Sequence, residues 1–169
     1  WEIAMNSVKI MAAMCLISGG TVAAEVPITG EVQSRCTIQT DTAGIYGNPN
    51  AYTLSTDPAD GGVLPIVRID VSLADAYKAQ ITYPTEFSSS PSLNDVVTWT
   101  GSVDVSAVSD VAMADYQADS IAYNQTREYD LTATGSTWFK IDSEAVNGGN
   151  KAFPSGTYRS VAQVSCIAQ

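Results

Sequence analysis

Two cysteines, Cys36 and Cys166, are the residues of this 169-residue chain whose positions most directly predict a chemical bond. Each lies near one end of the chain, in a stretch whose apolar residues fall on alternate positions. In an oxidising compartment two such thiols form a disulfide, and closing a loop of about 130 residues would stabilise the fold by about 5 kcal/mol in the chain-entropy model. Buried free thiols are the alternative. The sequence thus predicts a bridge between the first and last strands of an all-β domain.

Catalytic chemistry has few candidate residues. The chain contains no histidine, which removes the usual general base near neutral pH and the commonest metal ligand. A pair of carboxylates could still hydrolyse glycosides, but no local motif marks any two of the four candidates as partners: Glu31, Glu86, Glu128 and Glu144. No glycine-rich loop has the spacing that binds phosphates. We therefore expect a protein that is not an enzyme and holds no cofactor. A carboxylate-based hydrolase is the least favoured of the three candidate functions that the sequence leaves open.

Two further groups of residues could bind a ligand. Aspartates in turn-rich segments could supply oxygen ligands to calcium, although none has the spacing of a known calcium loop; they are Asp57, Asp60, Asp110, Asp115 and Asp119. Trp99 and Trp138 could form a platform on which a sugar stacks. Their positions in alternating segments favour core packing instead.

The first 24 residues have the layout of a secretory signal. Met5 and Lys9 precede an apolar run over residues 10–18, and small residues at positions 22–24 suit cleavage after Ala24. The apolar run is shorter than the roughly 20 residues that a helix needs to cross a membrane. We expect export of the protein and no membrane span in the mature chain. The third cysteine, Cys15, would be removed with the signal.

Removing 24 of 169 residues leaves 145, a size that usually forms one domain. The sequence therefore predicts a signal segment over residues 1–24 and a single domain over residues 25–169. The formal net charge is −10, and such a surface repels phosphate backbones and anionic lipids. We therefore expect no nucleic-acid partner.

Alternation of apolar and polar residues predicts a domain made of strands. The first alternating segment covers residues 26–38, with Val26, Ile28, Gly30, Val32, Ser34, Cys36 and Ile38 on one face. Similar segments follow at residues 69–73, 77–83, 97–105, 129–133 and 158–166, separated by turns rich in glycine, proline and asparagine. Residues 110–122 fit a short helix or an irregular strand. The pattern predicts an all-β sandwich of about 7–9 antiparallel strands.

Two short motifs lie at the ends of the predicted domain. Near its start come an apolar residue, a glycine, a valine and a cysteine: Ile28, Gly30, Val32 and Cys36. Near its end, Gly156 and Tyr158 open an alternating strand, and Gly156 is the fourteenth residue from the end of the chain. Both motifs resemble those of the pilin subunits of bacterial chaperone–usher fibres. In that family, a glycine at the second place begins the strand that a periplasmic chaperone recognises.

The resemblance implies an incomplete immunoglobulin-like sandwich that lacks its final strand. A chaperone strand first fills the groove, and the N-terminal extension of the next subunit then replaces it, which is a form of β-strand addition. The donor segment here would be residues 25–30, with Val26 and Ile28 inserted. The strand recognised by the chaperone would carry Gly156, Tyr158, Ala162 and Val164. The implied partners are identical subunits, a periplasmic chaperone and an outer-membrane usher, and the implied location is a surface fibre reached through the periplasm.

Three features depart from the family pattern. Such pilins usually pair the early cysteine with one in the first half of the domain, whereas Cys166 is the only mature partner here. Ala168 replaces the aromatic residue expected at the penultimate position. The extension is also short if residues 30–36 belong to the first strand. A monomeric secreted or periplasmic domain that binds a carbohydrate or a protein is therefore the alternative function.

Overall fold

The computed structural model describes residues 29–169, which form an all-β fold. In the described part of the chain, seven strands have six or more residues, five have four or fewer, and no α-helix occurs. The strands are β1 (Cys36–Thr42), β2 (Gly47–Asn50), β3 (Thr53–Ser55), β4 (Ile66–Val71), β5 (Tyr77–Thr82), β6 (Phe87–Ser89), β7 (Val97–Val108), β8 (Ile121–Tyr123), β9 (Thr126–Leu131), β10 (Gly135–Asn147), β11 (Arg159–Ser160) and β12 (Gln163–Ala168). Short 3₁₀ turns lie at Pro58–Asp60, Val111–Met113 and Gly148–Asn150. Within residues 29–169, no helix is long and apolar enough to cross a membrane.

The first sheet is organised around β10, its longest strand. The early part of β10 pairs with β4, its late part pairs with β3, and β7 pairs along its other side. β1 adds to β4 and β2 adds to β3, so that all pairs in this sheet are antiparallel. Alternate residues of β10 from Thr137 to Asn147 are buried, because successive side chains of a strand point to opposite faces.

The second sheet has the strand order β12–β5–β9–β8, and a separate short pair joins β11 to β6. The core contains side chains from both large sheets, which makes the fold a sandwich. Phe139 and Ile69 come from the first sheet, while Ile81 and Tyr129 come from the second, and each is at most 1% exposed. The prediction of an all-β sandwich is confirmed, but the described residues contain twelve strands, five of them with four residues or fewer, rather than about 7–9.

The start of the first strand differs from the prediction. Residues 29–35 form no strand, and β1 begins at Cys36. Val32 is 81% exposed and Ile38 is 41% exposed, so the alternating residues of this segment do not form a buried face. These side chains stay exposed because β1 is an edge strand, with a strand neighbour on one side only within the described residues. Residues 110–122 contain a 3₁₀ turn and the short strand β8, rather than an α-helix.

Candidate functional site: a cleft between two sheet edges

A disulfide joins Cys36 in β1 to Cys166 in β12, with a Cα–Cα distance of 6.4 Å. This confirms the predicted pairing. The bond does not connect hydrogen-bonded neighbours, since β1 pairs with β4 and β12 pairs with β5. It connects the edge of the first sheet to the edge of the second. Among residues 29–169, neither β1 nor β12 has a strand on its other side.

A cleft of about 820 Å³ opens between these two edges, and we call it the edge cleft. Ile38 and Thr40 of β1 line one wall, and residues 156 and 158–162 with Val164 line the other. The floor includes Leu54, Val67 and Ile141, whose side chains are buried in the sandwich. The edge cleft therefore combines an apolar floor with two strand edges that can still form hydrogen bonds.

The predicted C-terminal strand is divided, since β11 ends at Ser160 and β12 begins at Gln163, and only Val164 of its four predicted residues lies in a strand. All four nevertheless line the edge cleft: Gly156, Tyr158, Ala162 and Val164. Gly156 has a φ of +154°, a conformation that residues with a side chain rarely adopt, and an added Cβ would collide with the ring of Pro91. This position therefore requires glycine. The predicted donor residues, Val26 and Ile28, lie outside the described residues.

A hydrogen-bonded link crosses the edge cleft at Tyr46. Its hydroxyl lies 2.6 Å from the Ser160 Oγ in β11 and 3.0 Å from the Ser143 Oγ in β10. Tyr46 belongs to the side of the first sheet, because it directly precedes Gly47, where β2 begins. Sequence reasoning missed Tyr46, which lies in a turn-rich segment 114 residues from Ser160.

Beyond Ser160, the wall continues into an aromatic cluster centred on Phe87. Its ring centroid lies 4.7 Å from that of Trp99 and 5.1 Å from that of Tyr158, and Tyr46 and Phe153 pack around it. The Tyr158 hydroxyl donates a hydrogen bond to the Pro154 carbonyl at 2.6 Å, and burial raises the pKa of Tyr158. Trp99 is therefore packed against other aromatic rings, as its register predicted.

Trp138 does not pack in the core, which corrects the prediction. It lies on the outer face of β10, because its neighbours Thr137 and Phe139 are the buried ones. Its Nε1 donates a hydrogen bond to Asp41 at 2.7 Å, and the guanidinium of Arg68 lies 5.9 Å from the ring centroid. The latter distance is within range of a cation–π interaction.

On the side of the sandwich where β7 lies, the segment that follows β7 covers part of the sheet edge, unlike the side with the edge cleft. Residues 109–120 connect β7 to β8 and bury Met113 and Tyr116. The Val103 carbonyl accepts a hydrogen bond from the Tyr129 hydroxyl at 2.7 Å, and the Val105 N–H donates to Gln117 at 2.7 Å. Burial raises the pKa of Tyr129, which keeps its hydroxyl protonated as a donor. Side chains thus satisfy polar groups along β7.

Three of the carboxylates considered for catalysis or calcium binding have structural contacts, namely those of Glu128, Asp57 and Asp110. Glu128 accepts hydrogen bonds from Tyr123 at 2.6 Å and Gln80 at 2.9 Å. Asp57 and Asp110 accept hydrogen bonds from backbone N–H groups at the starts of two 3₁₀ turns. In the described part of the chain, no group of three or more cysteine, aspartate or glutamate side chains could hold a metal ion.

No protein-family model, curated protein or solved structure matches this chain.

Proposed function

We propose that this chain is a pilin-like subunit of a bacterial surface fibre, which assembles by accepting an extended strand into the edge cleft. One observation carries the proposal: β1 and β12, two edge strands that lack a second strand partner within residues 29–169, border the same apolar cleft. The resemblance of residues 28–36 and 156–158 to pilin motifs supports it. So does the signal layout of residues 5–24, which favours export to the periplasm and the cell surface.

Strand addition suits both the backbone and the side chains of the edge cleft. An inserted strand would bond its main chain to β1 and β12, while every second side chain would point to the floor. Ile38 and Val161, which are 41% and 54% exposed, would then lose contact with water. An apolar edge without a partner is prone to aggregate, and this is the physical reason for a chaperone and an usher as further partners.

The proposed occupant is the segment of residues 25–30 from a neighbouring copy of this chain. Val26 and Ile28 supply two apolar side chains on one face, and Pro27 lies between them on the other. Because residues 29–35 form no strand, the segment before β1 is longer than the sequence pattern predicted. The Arg35 N–H donates a hydrogen bond to the Ser72 Oγ, and the Arg35 carbonyl accepts one from the Ser72 N–H. These bonds hold Arg35 beside Cys36, at the disulfide end of the cleft in the same chain. This anchoring favours donation to another copy.

Assembly of the oxidised mature protein, residues 25–169, tests the proposal. We expect it to form fibres, whereas a variant lacking residues 25–30 should stay monomeric and bind a peptide of those residues. Hydrogen exchange should slow in β1 and β12 when the peptide binds. A peptide carrying Val26→Asp and Ile28→Asp is the matched control and should not bind. A stable intact monomer, or peptide binding that leaves both edges unprotected, would overturn the proposal.

Trp138 favours a second candidate, a monomeric secreted or periplasmic domain that binds a carbohydrate. Its ring is only partly buried on the outer face of the first sheet, next to the polar side chains of Asp41 and Arg68. Trp138→Ala should then abolish retention on a sugar column while the melting temperature changes little. Trp99→Ala is the comparison variant, because Trp99 packs in the aromatic cluster. Equal retention of wild type and Trp138→Ala would exclude this candidate.

A further inference from the structure

We infer that Tyr46 sets the length and register of the strand that the edge cleft accepts, an inference that rests on the proposed function. The edge cleft has two cross-links between its walls. One is the Cys36–Cys166 disulfide, and the other is the hydrogen bond between the Tyr46 hydroxyl and the Ser160 Oγ. We call the part of the cleft between these two links the compartment.

The dimensions of this compartment limit its occupant. On the C-terminal wall, six residue steps separate Ser160 in β11 from Cys166 in β12. Residues 161–162 belong to neither strand, so the separation is at most the roughly 20 Å of a fully extended chain. Ala162 and Val164 line the cleft within this stretch. Because alternate side chains of a strand share a face, an inserted strand of that length presents about two or three side chains to the floor. The two apolar residues of the proposed donor, Val26 and Ile28, match this capacity.

The Tyr46 link lies deep enough to obstruct an inserted side chain. The Tyr46 hydroxyl also contacts the Ser143 Oγ at 3.0 Å, and Ser143 is a floor residue that is 2% exposed. Beyond the link, the lining continues to Tyr158 and Gly156. The link thus separates the compartment from a further stretch of cleft. An inward side chain that reaches the link would have to displace Tyr46 from both serines, so the strand stops or loses its inward contacts there.

Variants that cut the link should change how the affinity of a peptide depends on its length. Tyr46→Phe and Ser160→Ala each remove one hydroxyl of the bond that crosses the cleft. Ser143→Ala is the matched control, because it removes the contact between Tyr46 and the floor of the cleft and leaves the hydrogen bond between Tyr46 and Ser160. Each variant would be made in the oxidised chain of residues 25–169, with its fold checked by circular dichroism. Binding would be measured below the concentration at which the chain assembles, using labelled peptides of residues 25–30, 21–30 and 25–34.

We expect wild type and Ser143→Ala to bind all three peptides with affinities within about twofold of one another. In Tyr46→Phe and Ser160→Ala, one of the two longer peptides, 21–30 or 25–34, has its extra residues directed toward position 46. That peptide should bind each variant at least about tenfold more tightly than the peptide of residues 25–30 binds the same variant. A length dependence that is the same in wild type and in both variants would overturn the role of Tyr46 and leave strand addition intact. Failure of every protein to bind any peptide would overturn strand addition, and the role of Tyr46 with it.

Discussion

Cys36 and Cys166 place a covalent bond between the edges of two different sheets, with their Cα atoms 6.4 Å apart. The bond spans 130 residues of sequence and lies at one end of the edge cleft. Tyr46 and Ser160 make the second connection between the same walls, through a hydrogen bond. The walls are thus held together at two points while their facing strands remain without a shared partner.

Replacing both cysteines by serine should destabilise the domain strongly. A loop of 130 residues is long, so the chain-entropy model gives a loss in the free energy of unfolding of up to about 5 kcal/mol. The measurement is urea denaturation of the oxidised wild type and the double variant. The reduced wild type is the control and should unfold near the midpoint of the double variant. Equal midpoints for the oxidised wild type and the double variant would contradict this expectation.

Gly156→Ala should lower the free energy of unfolding by about 1–3 kcal/mol, because the new Cβ is strained at this φ and collides with Pro91. Gly30→Ala is the matched control, since an added Cβ at Gly30 meets no atom within 4 Å. Thermal unfolding of the two variants measures the difference. A Gly156→Ala protein as stable as Gly30→Ala would show that the C-terminal wall adapts to the substitution.

The sequence predicts the buried strands of this fold well and its edges poorly. In β4, β5 and β9, the alternation of apolar residues reflects burial between two sheets, so the pattern and the structure agree. Residues 26–38 show the same alternation, yet Ile38 lies on an edge strand and remains exposed. The alternation of apolar and polar residues shows which residues share one face of a strand. It does not report whether another strand covers that face.

The residues that cross the edge cleft had no signal in the sequence. Tyr46 and Ser160 are 114 residues apart, and a hydroxyl–hydroxyl contact imposes no spacing pattern. Alternation and the family resemblance do point to four C-terminal residues, from Gly156 to Val164, and all four line the edge cleft. The position of Trp138 was missed, because only the register of β10 decides which of its alternate residues face outward.

Stability at acidic pH should depend on Glu128. Hydrogen bonds from Tyr123 and Gln80 lower the pKa of Glu128, with a further contribution from Lys78. A lowered folded-state pKa stabilises the fold above the ordinary glutamate pKa, and this contribution is lost as the pH falls through the lowered value. As the pH falls from neutral to the lowered pKa of Glu128, the free energy of unfolding of Glu128→Gln should therefore decrease less than that of the wild type. Urea unfolding across this pH range provides the measurement.

Two tyrosine variants separate this effect from a general loss of hydroxyl groups. Tyr123→Phe removes the largest cause of the lowered Glu128 pKa and should weaken the acid dependence in part. Tyr158→Phe is the control, because its hydroxyl bonds the Pro154 carbonyl and not a carboxylate. If Tyr158→Phe changed the acid dependence as much as Tyr123→Phe, the contribution of Glu128 would be disproved.

Ile38→Asp should block assembly without unfolding the monomer. Ile38 lines the edge cleft and is 41% exposed, so a carboxylate at this position can stay hydrated while the cleft is open. An inserted strand would bury that charge without a partner, which we expect to weaken strand addition by about tenfold or more. Val111→Asp is the matched control, because Val111 is 90% exposed in the segment between β7 and β8. Light scattering measures assembly, and thermal unfolding checks the monomer. Fibre formation by Ile38→Asp at the wild-type rate would show that the inserted strand does not use this wall.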